Sequence, residues 1–146
     1  MQPLDKLREK LSKYPDLRVE DDGRTITVLA SDSDGFDVAF SVEESGYMVW
    51  FGPWHQSFEP AEEQSALECF AFGLSGEARL KVKSRGQRDY SWTLEALEQG
   101  QWSTYSTTAL LLFPFWRPRK IRYLQNPALG AGPNNSSKPT PLRGAA

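Results

Sequence analysis

Between residues 17 and 51, apolar alternation and turn signals agree on one register for four strands. Asp22-Gly23 is a two-residue hairpin signal, and it sets Val19 opposite Ile26 and Leu17 opposite Val28. A five-residue loop, Ser31 to Gly35, then pairs Val28 with Val38 and Ile26 with Phe40. A four-residue loop, Glu43 to Gly46, pairs Val42 with Tyr47, Phe40 with Val49 and Val38 with Phe51. All three turns keep one apolar side together, and a slip of one residue would move that side to water.

A helix is expected before these strands. Pro3 suits a first helical turn, Leu4, Leu7, Leu11 and Tyr14 form a stripe, and Pro15 ends it. A second helix is expected over 60–73. Pro60 stands at its start, Glu62 and Glu63 favour its positive end, and Leu67, Phe70, Ala71 and Leu74 form its apolar stripe. A second meander follows. Ala78, Leu80 and Val82 alternate with Arg79, Lys81 and Lys83, and a three-residue loop, Arg85 to Gln87, sets Val82 opposite Tyr90 and Leu80 opposite Trp92. Gln99-Gly100 turns the chain again and sets Leu94 opposite Tyr105. A long strand then runs to Phe113, Pro114 and Pro118 break it, and Ile121 and Tyr123 open the last strand. The expected fold is α+β, an antiparallel arrangement of about eight strands in two four-stranded meanders. Each meander is preceded by a helix that packs on the apolar face.

The chain has 146 residues, enough for one domain with its own core. One cysteine excludes an internal disulfide, and one histidine with one cysteine excludes the usual zinc frameworks. No apolar run reaches the length of a membrane-spanning helix, and the first residues pass directly into charge, unlike a signal peptide. A cytoplasmic protein without a membrane span, and with no membrane as a partner, is therefore expected. No cofactor is expected. Charge divides unevenly: residues 1–75 hold six Lys/Arg against fifteen Asp/Glu, and residues 76–146 hold eleven against four.

Composition changes after Gln125, where Gly, Pro, Ser and Asn take over. The domain is expected to occupy 1–125, with 126–146 a disordered tail. The last thirteen residues, Asn134 to Ala146, resemble the translated recombination site of integron gene cassettes. Lys138-Pro139 is encodable as AAGCCG, and Gly144-Ala145-Ala146 followed by a stop codon beginning with T can contain CGGCTT. These strings are reverse complements, as the imperfect inverted repeat of such a site requires. The resemblance implies a mobile bacterial cassette product whose tail was selected as DNA. The rest of the chain is similar to the small α+β products that such cassettes encode, many without known function, and no site residue carries over.

His55 is the natural general base near neutral pH, and Glu59 lies close enough in sequence to assist it. Cys69, the possible nucleophile, falls in mid-helix, where its thiolate gains nothing from the helix N-terminus. Asp32, Asp34 and Asp37 surround Gly35, but the spacing fails the calcium-loop pattern, so hairpin geometry explains them and no metal is expected. Arg79, Lys81, Lys83, Arg119 and Arg122 form a basic patch. Lys83 is expected to face Asp89, and the acidic first half works against phosphate binding, so nucleic acid is not expected as a partner.

The aromatics point to an interaction function. Strands 47–51 and 109–113 are apolar on both sides, which suits central strands covered on both faces. Two helices are too few to cover both faces of eight strands. Met48, Trp50, Trp54, Phe58, Trp102 and Leu112 are therefore the candidate ligand or interface residues. The first expectation is a non-enzymatic ligand-binding or protein-interaction module that self-associates through an apolar sheet face. The alternative is a small hydrolase or isomerase using His55 in an aromatic-lined pocket.

Overall fold

A computed structural model describes residues 2–129. Helix α1 (Pro3–Leu11) leads into a five-stranded antiparallel sheet of β1 (Val19–Asp21), β2 (Thr25–Val28), β3 (Val38–Glu43), β4 (Gly46–Phe51) and β5 (Trp54–Phe58), hydrogen-bonded in sequence order. A single 3-10 turn (Pro60–Glu62) opens helix α2 (Glu63–Gly73). The second sheet holds β6 (Ala78–Arg85), β7 (Arg88–Glu98), β8 (Gln101–Ala109) and β9 (Arg119–Gln125) in the order β8-β7-β6-β9.

The class is α+β with two antiparallel sheets, and among the described residues nine strands replace the expected eight. The first meander gains β5, because Gly52-Pro53 turns the chain tightly and pairs Phe51 with Trp54. The second sheet is not a simple meander. After β8 the chain leaves the sheet and returns to pair β9 with β6 on the opposite edge. The helices are not shared evenly either. Helix α2 packs chiefly on β3 and β4 of the first sheet, and α1 packs on α2. The buried side of α2 runs through Ala66, Phe70 and Gly73, with Leu67 half-buried and Ala71 exposed. Gly73 is required there: a Cβ would stand 2.5 Å from Cε1 of Phe51, a fully buried ring.

The pairings of β2 with β3 and of β3 with β4 are those expected from the turns. The first hairpin differs by two residues, setting Val19 opposite Val28. Asp22 Oδ1 accepts hydrogen bonds from the N–H groups of Arg24 and Thr25, which moves Gly23, at φ 93°, to the first central position of the turn. A shift of two keeps every side chain on its expected face. In the second sheet, Gly86-Gln87 is a two-residue turn followed by a bulge that leaves Tyr90 unpaired. Val82 therefore faces Trp92, and Leu80 faces Leu94. A second bulge leaves Tyr105 unpaired and sets Leu94 opposite Ser106.

One buried cluster joins α1, both sheets and α2, from Leu4 through Phe40, Phe51 and Phe70 to Leu80 and Leu94. Asn126 to Leu129, assigned by composition to the tail, belong to this packed structure. Asn126 Oδ1 accepts from the Phe36 N–H at 2.9 Å, and its Nδ2 donates to the carbonyls of Phe36 and Gly73. The Leu129 N–H donates to the Leu74 carbonyl. The rest of the expected tail, including the cassette-like segment Asn134 to Ala146, lies outside the described residues.

Candidate functional site

The residues of the enzyme alternative are His55 and Glu59, with Cys69 as the possible nucleophile. His55 lies on the outer face of β5, exposed, with its ring against that of Trp50 at 4.7 Å between centroids. The two residues are cross-strand partners. His55 Nδ1 is 3.1 Å from the carbonyl oxygen of Pro53, a bond that holds the proton on Nδ1. Glu59 is occupied elsewhere: its carboxylate caps the 3-10 turn, and the Glu62 carboxylate accepts the Glu59 N–H at 2.8 Å. Cys69 is half-buried on α2, and burial pushes its thiol up to about 12, so it stays protonated and unreactive near neutral pH. The structure brings none of these three groups into hydrogen-bond contact with another.

The aspartates around Gly35 serve the turn. Asp32 Oδ1 accepts the Asp34 N–H, and Asp37 Oδ1 accepts the Ala30 N–H. Among the described residues no cluster of three His, Cys, Asp or Glu side chains is arranged to hold a metal ion.

The candidate aromatics separate onto different surfaces. Trp54 and Phe58 correct the expectation of a ligand-facing role. Pairing Trp54 with Phe51 places it on the inward face, 0% exposed, where Nε1 donates to Ser106 Oγ at 3.0 Å. Phe58 follows four residues later on the same inward face and is also buried. Met48 and Trp50 remain on the outer face of the first sheet, half-buried and 37% exposed respectively. Trp102 lies on the outer face of the second sheet, where the Arg79 guanidinium stacks on it.

The basic patch is partly neutralised. Arg79 Nε donates to Glu95 at 2.6 Å, and Arg122 grips Asp89 through two hydrogen bonds of 2.7 Å. The Arg122 guanidinium holds the Asp89 carboxyl below the ordinary carboxylate range. Lys83 faces Ser91 rather than Asp89, because the bulge at Tyr90 shifts the register. Lys81 and Lys83 lie half-buried on the outer face, and Arg119 is exposed.

Leu112 marks the most conspicuous surface. The segment Leu110 to Trp116 is not a central strand, as its two-sided apolar pattern suggested. It leaves the sheet after β8 because Pro114 and Pro118 cannot supply ladder donors. Its apolar side chains then face water: Leu111 is 97% exposed, Leu112 84%, Phe115 70% and Trp116 70%. The segment is nevertheless anchored at both ends. Leu110 N–H donates to the Tyr90 carbonyl, and Phe113 stacks flat on the Tyr90 ring with centroids 4.1 Å apart. At the far end the Gly86 N–H donates to the Pro118 carbonyl, and Arg85 Nη1 donates to that of Arg117. Between these anchors Arg117 N–H closes a turn onto Pro114, and Phe115 meets Trp116 edge to face.

Sequence reasoning named Leu112 but missed Leu111, Phe115 and Trp116 as surface residues. Pro114 and Pro118, bracketing two aromatics, were the available signal. A second apolar surface is the groove of about 590 Å³ between α1 and α2, lined by Leu7, Leu11, Leu67, Ala71 and Leu129 among others.

The fold and this surface define a small two-sheet α+β protein with a projecting apolar loop. No protein-family model, curated protein or solved structure matches the chain.

Proposed function

We propose that the protein is a non-enzymatic interaction module that docks through the Leu110–Trp116 segment. The observation that supports this reading is the exposure of Leu111, Leu112, Phe115 and Trp116 on one anchored loop. A monomeric protein does not ordinarily leave contiguous large apolar groups in water. Covering each such side chain is worth about 1.5–3 kcal/mol before the costs of association. The outer face around Trp50 and Met48 is a smaller surface of the same kind, and self-association through it is the secondary form of the reading.

Site-directed photo-crosslinking tests the docking. A benzophenone amino acid in place of Phe115, in cells making the full chain, is expected to give adducts that the same group in place of Glu44 does not. An adduct specific to position 115, to lipid, to another protein or to a second copy, supports docking. Identical patterns from the two positions would remove the reading.

We propose also that the gene is an integron cassette, on the strength of the tail sequence alone. Sequencing codons 134–146 and the codon that follows tests this: an AAGCCG and CGGCTT pair in inverted repeat is expected, and codons that cannot form the repeat would exclude it.

A further inference from the structure

We infer that the surface met by the Leu110–Trp116 loop is an anionic lipid bilayer, which the protein contacts peripherally. The inference rests on the docking reading above and specifies its partner.

The shape of the loop favours a bilayer interface. It projects from the sheet with both ends pinned, Phe113 on Tyr90 and Pro118 on Gly86, and presents side chains in place of a groove. A fluid interface accepts such a wedge without complementary shape. Phe, Leu and Trp are also the residues that settle at the boundary between headgroups and acyl chains, with the indole N–H left to a polar partner.

Charge favours the same choice. The pairing of Arg85 with Arg88 and with Arg119 places both β-strand ends beside the loop. Arg85, Arg88, Arg117, Arg119 and Lys120 collect there, and no ion pair engages any of them among the described residues. The nearby acid, Asp89, is held by Arg122. This basic collar belongs to a chain of net charge −2, so it is a local arrangement and not a general property of the protein. Each cation near an anionic membrane raises partitioning roughly fivefold. A second copy meeting this loop with its own would press two like-charged collars together. A nucleic acid would meet the collar and leave the apolar tip in water. No helix among the described residues is long and apolar enough to cross a membrane, and the proposed contact requires none.

Vesicle flotation of the full chain tests the inference. Vesicles of phosphatidylcholine mixed equally with phosphatidylglycerol are expected to carry the protein, and vesicles of phosphatidylcholine alone to carry far less. The combined variant Leu111→Ser, Leu112→Ser, Phe115→Ser and Trp116→Ser is expected to stay unbound with an unchanged thermal midpoint. The variant Arg117→Ala, Arg119→Ala and Lys120→Ala is expected to lose about a hundredfold in partitioning, and added salt to weaken the wild type. Failure of the wild type to float with anionic vesicles overturns the lipid assignment, as does flotation of either variant equal to that of the wild type. If the crosslinks from position 115 then run to protein, docking stands with a protein partner. If position 115 yields no specific adduct, docking falls as well.

Discussion

The guanidinium of Arg79 lies between two aromatic rings, 4.3 Å from the centroid of Trp102 and 4.1 Å from that of Tyr123. Its Nε meanwhile donates to Glu95, a carboxylate almost wholly buried. Residues from all four strands of the second sheet thus meet at one cation. Arg79→Ala is expected to destabilise the protein by about 2–4 kcal/mol, since it removes both stacks and leaves Glu95 without its cation. Arg79→Lys keeps the charge but not the planar fork, and should cost about 1–2 kcal/mol. Urea unfolding of the two variants checks the order, and an unchanged midpoint for Arg79→Ala would contradict it.

Asn126 ties three parts of the chain together through one side chain. Its amide meets both backbone groups of Phe36 and the last carbonyl of α2, all in a buried setting. Asn126→Ala leaves those groups without partners, and a loss of about 2–4 kcal/mol is expected. Asn126→Asp keeps the acceptor but replaces the donor, setting negative charge against two carbonyls, and should be no less damaging. A chain ending at Gln125 should behave like Asn126→Ala by thermal melting; a truncated chain as stable as the full one would show that the fold ends before Asn126.

The sequence made the first sheet legible where turn length and apolar period acted together. Ile26 with Phe40 and Phe40 with Val49 follow from loops whose length leaves one register with a single apolar face. The first hairpin slipped because the Asp22 carboxylate, and not the dipeptide alone, sets which residues turn. The bulges at Tyr90 and Tyr105 left no mark, because a bulged residue needs no special chemistry. The edge chosen by β9 depends on packing between distant strands, which local pattern does not encode. The exposed apolar surface was half legible. An apolar run reads alike whether it enters a core or leaves it, and only Pro114 and Pro118 distinguished the two.

Acid should weaken the contact between α1 and the first hairpin. Arg8 Nε donates to Asp21 at 2.6 Å, and the Gly23 N–H adds a second bond. These bonds lower the Asp21 carboxyl from 3.8 to about 2, with Arg8 the larger cause. A depressed carboxylate contributes stability above its unfolded value and loses that contribution as pH falls toward its folded value. The stability difference between the wild type and Asp21→Asn is thus expected to be full at neutral pH, to shrink below 3.8 and to vanish near 2. Both side chains are solvent-accessible, so the difference is small and salt reduces it. A gap that stayed constant through this range would show that the ionic bond contributes nothing.

Trp50 and Trp54 lie four residues apart on adjacent strands yet on opposite faces, because the tight turn between them reverses the chain. Trp54 is enclosed by the core and hydrogen-bonded to Ser106, so Trp54→Ala should cost about 3–5 kcal/mol. Trp54→Phe fills most of the space without the indole N–H and should cost less. Trp50 stacks on an exposed histidine at the outer face, and Trp50→Ala should change stability by less than about 1 kcal/mol. Denaturant unfolding followed by circular dichroism compares them without relying on tryptophan emission. Equal losses at the two positions would mean that the outer face of the first sheet is covered in solution.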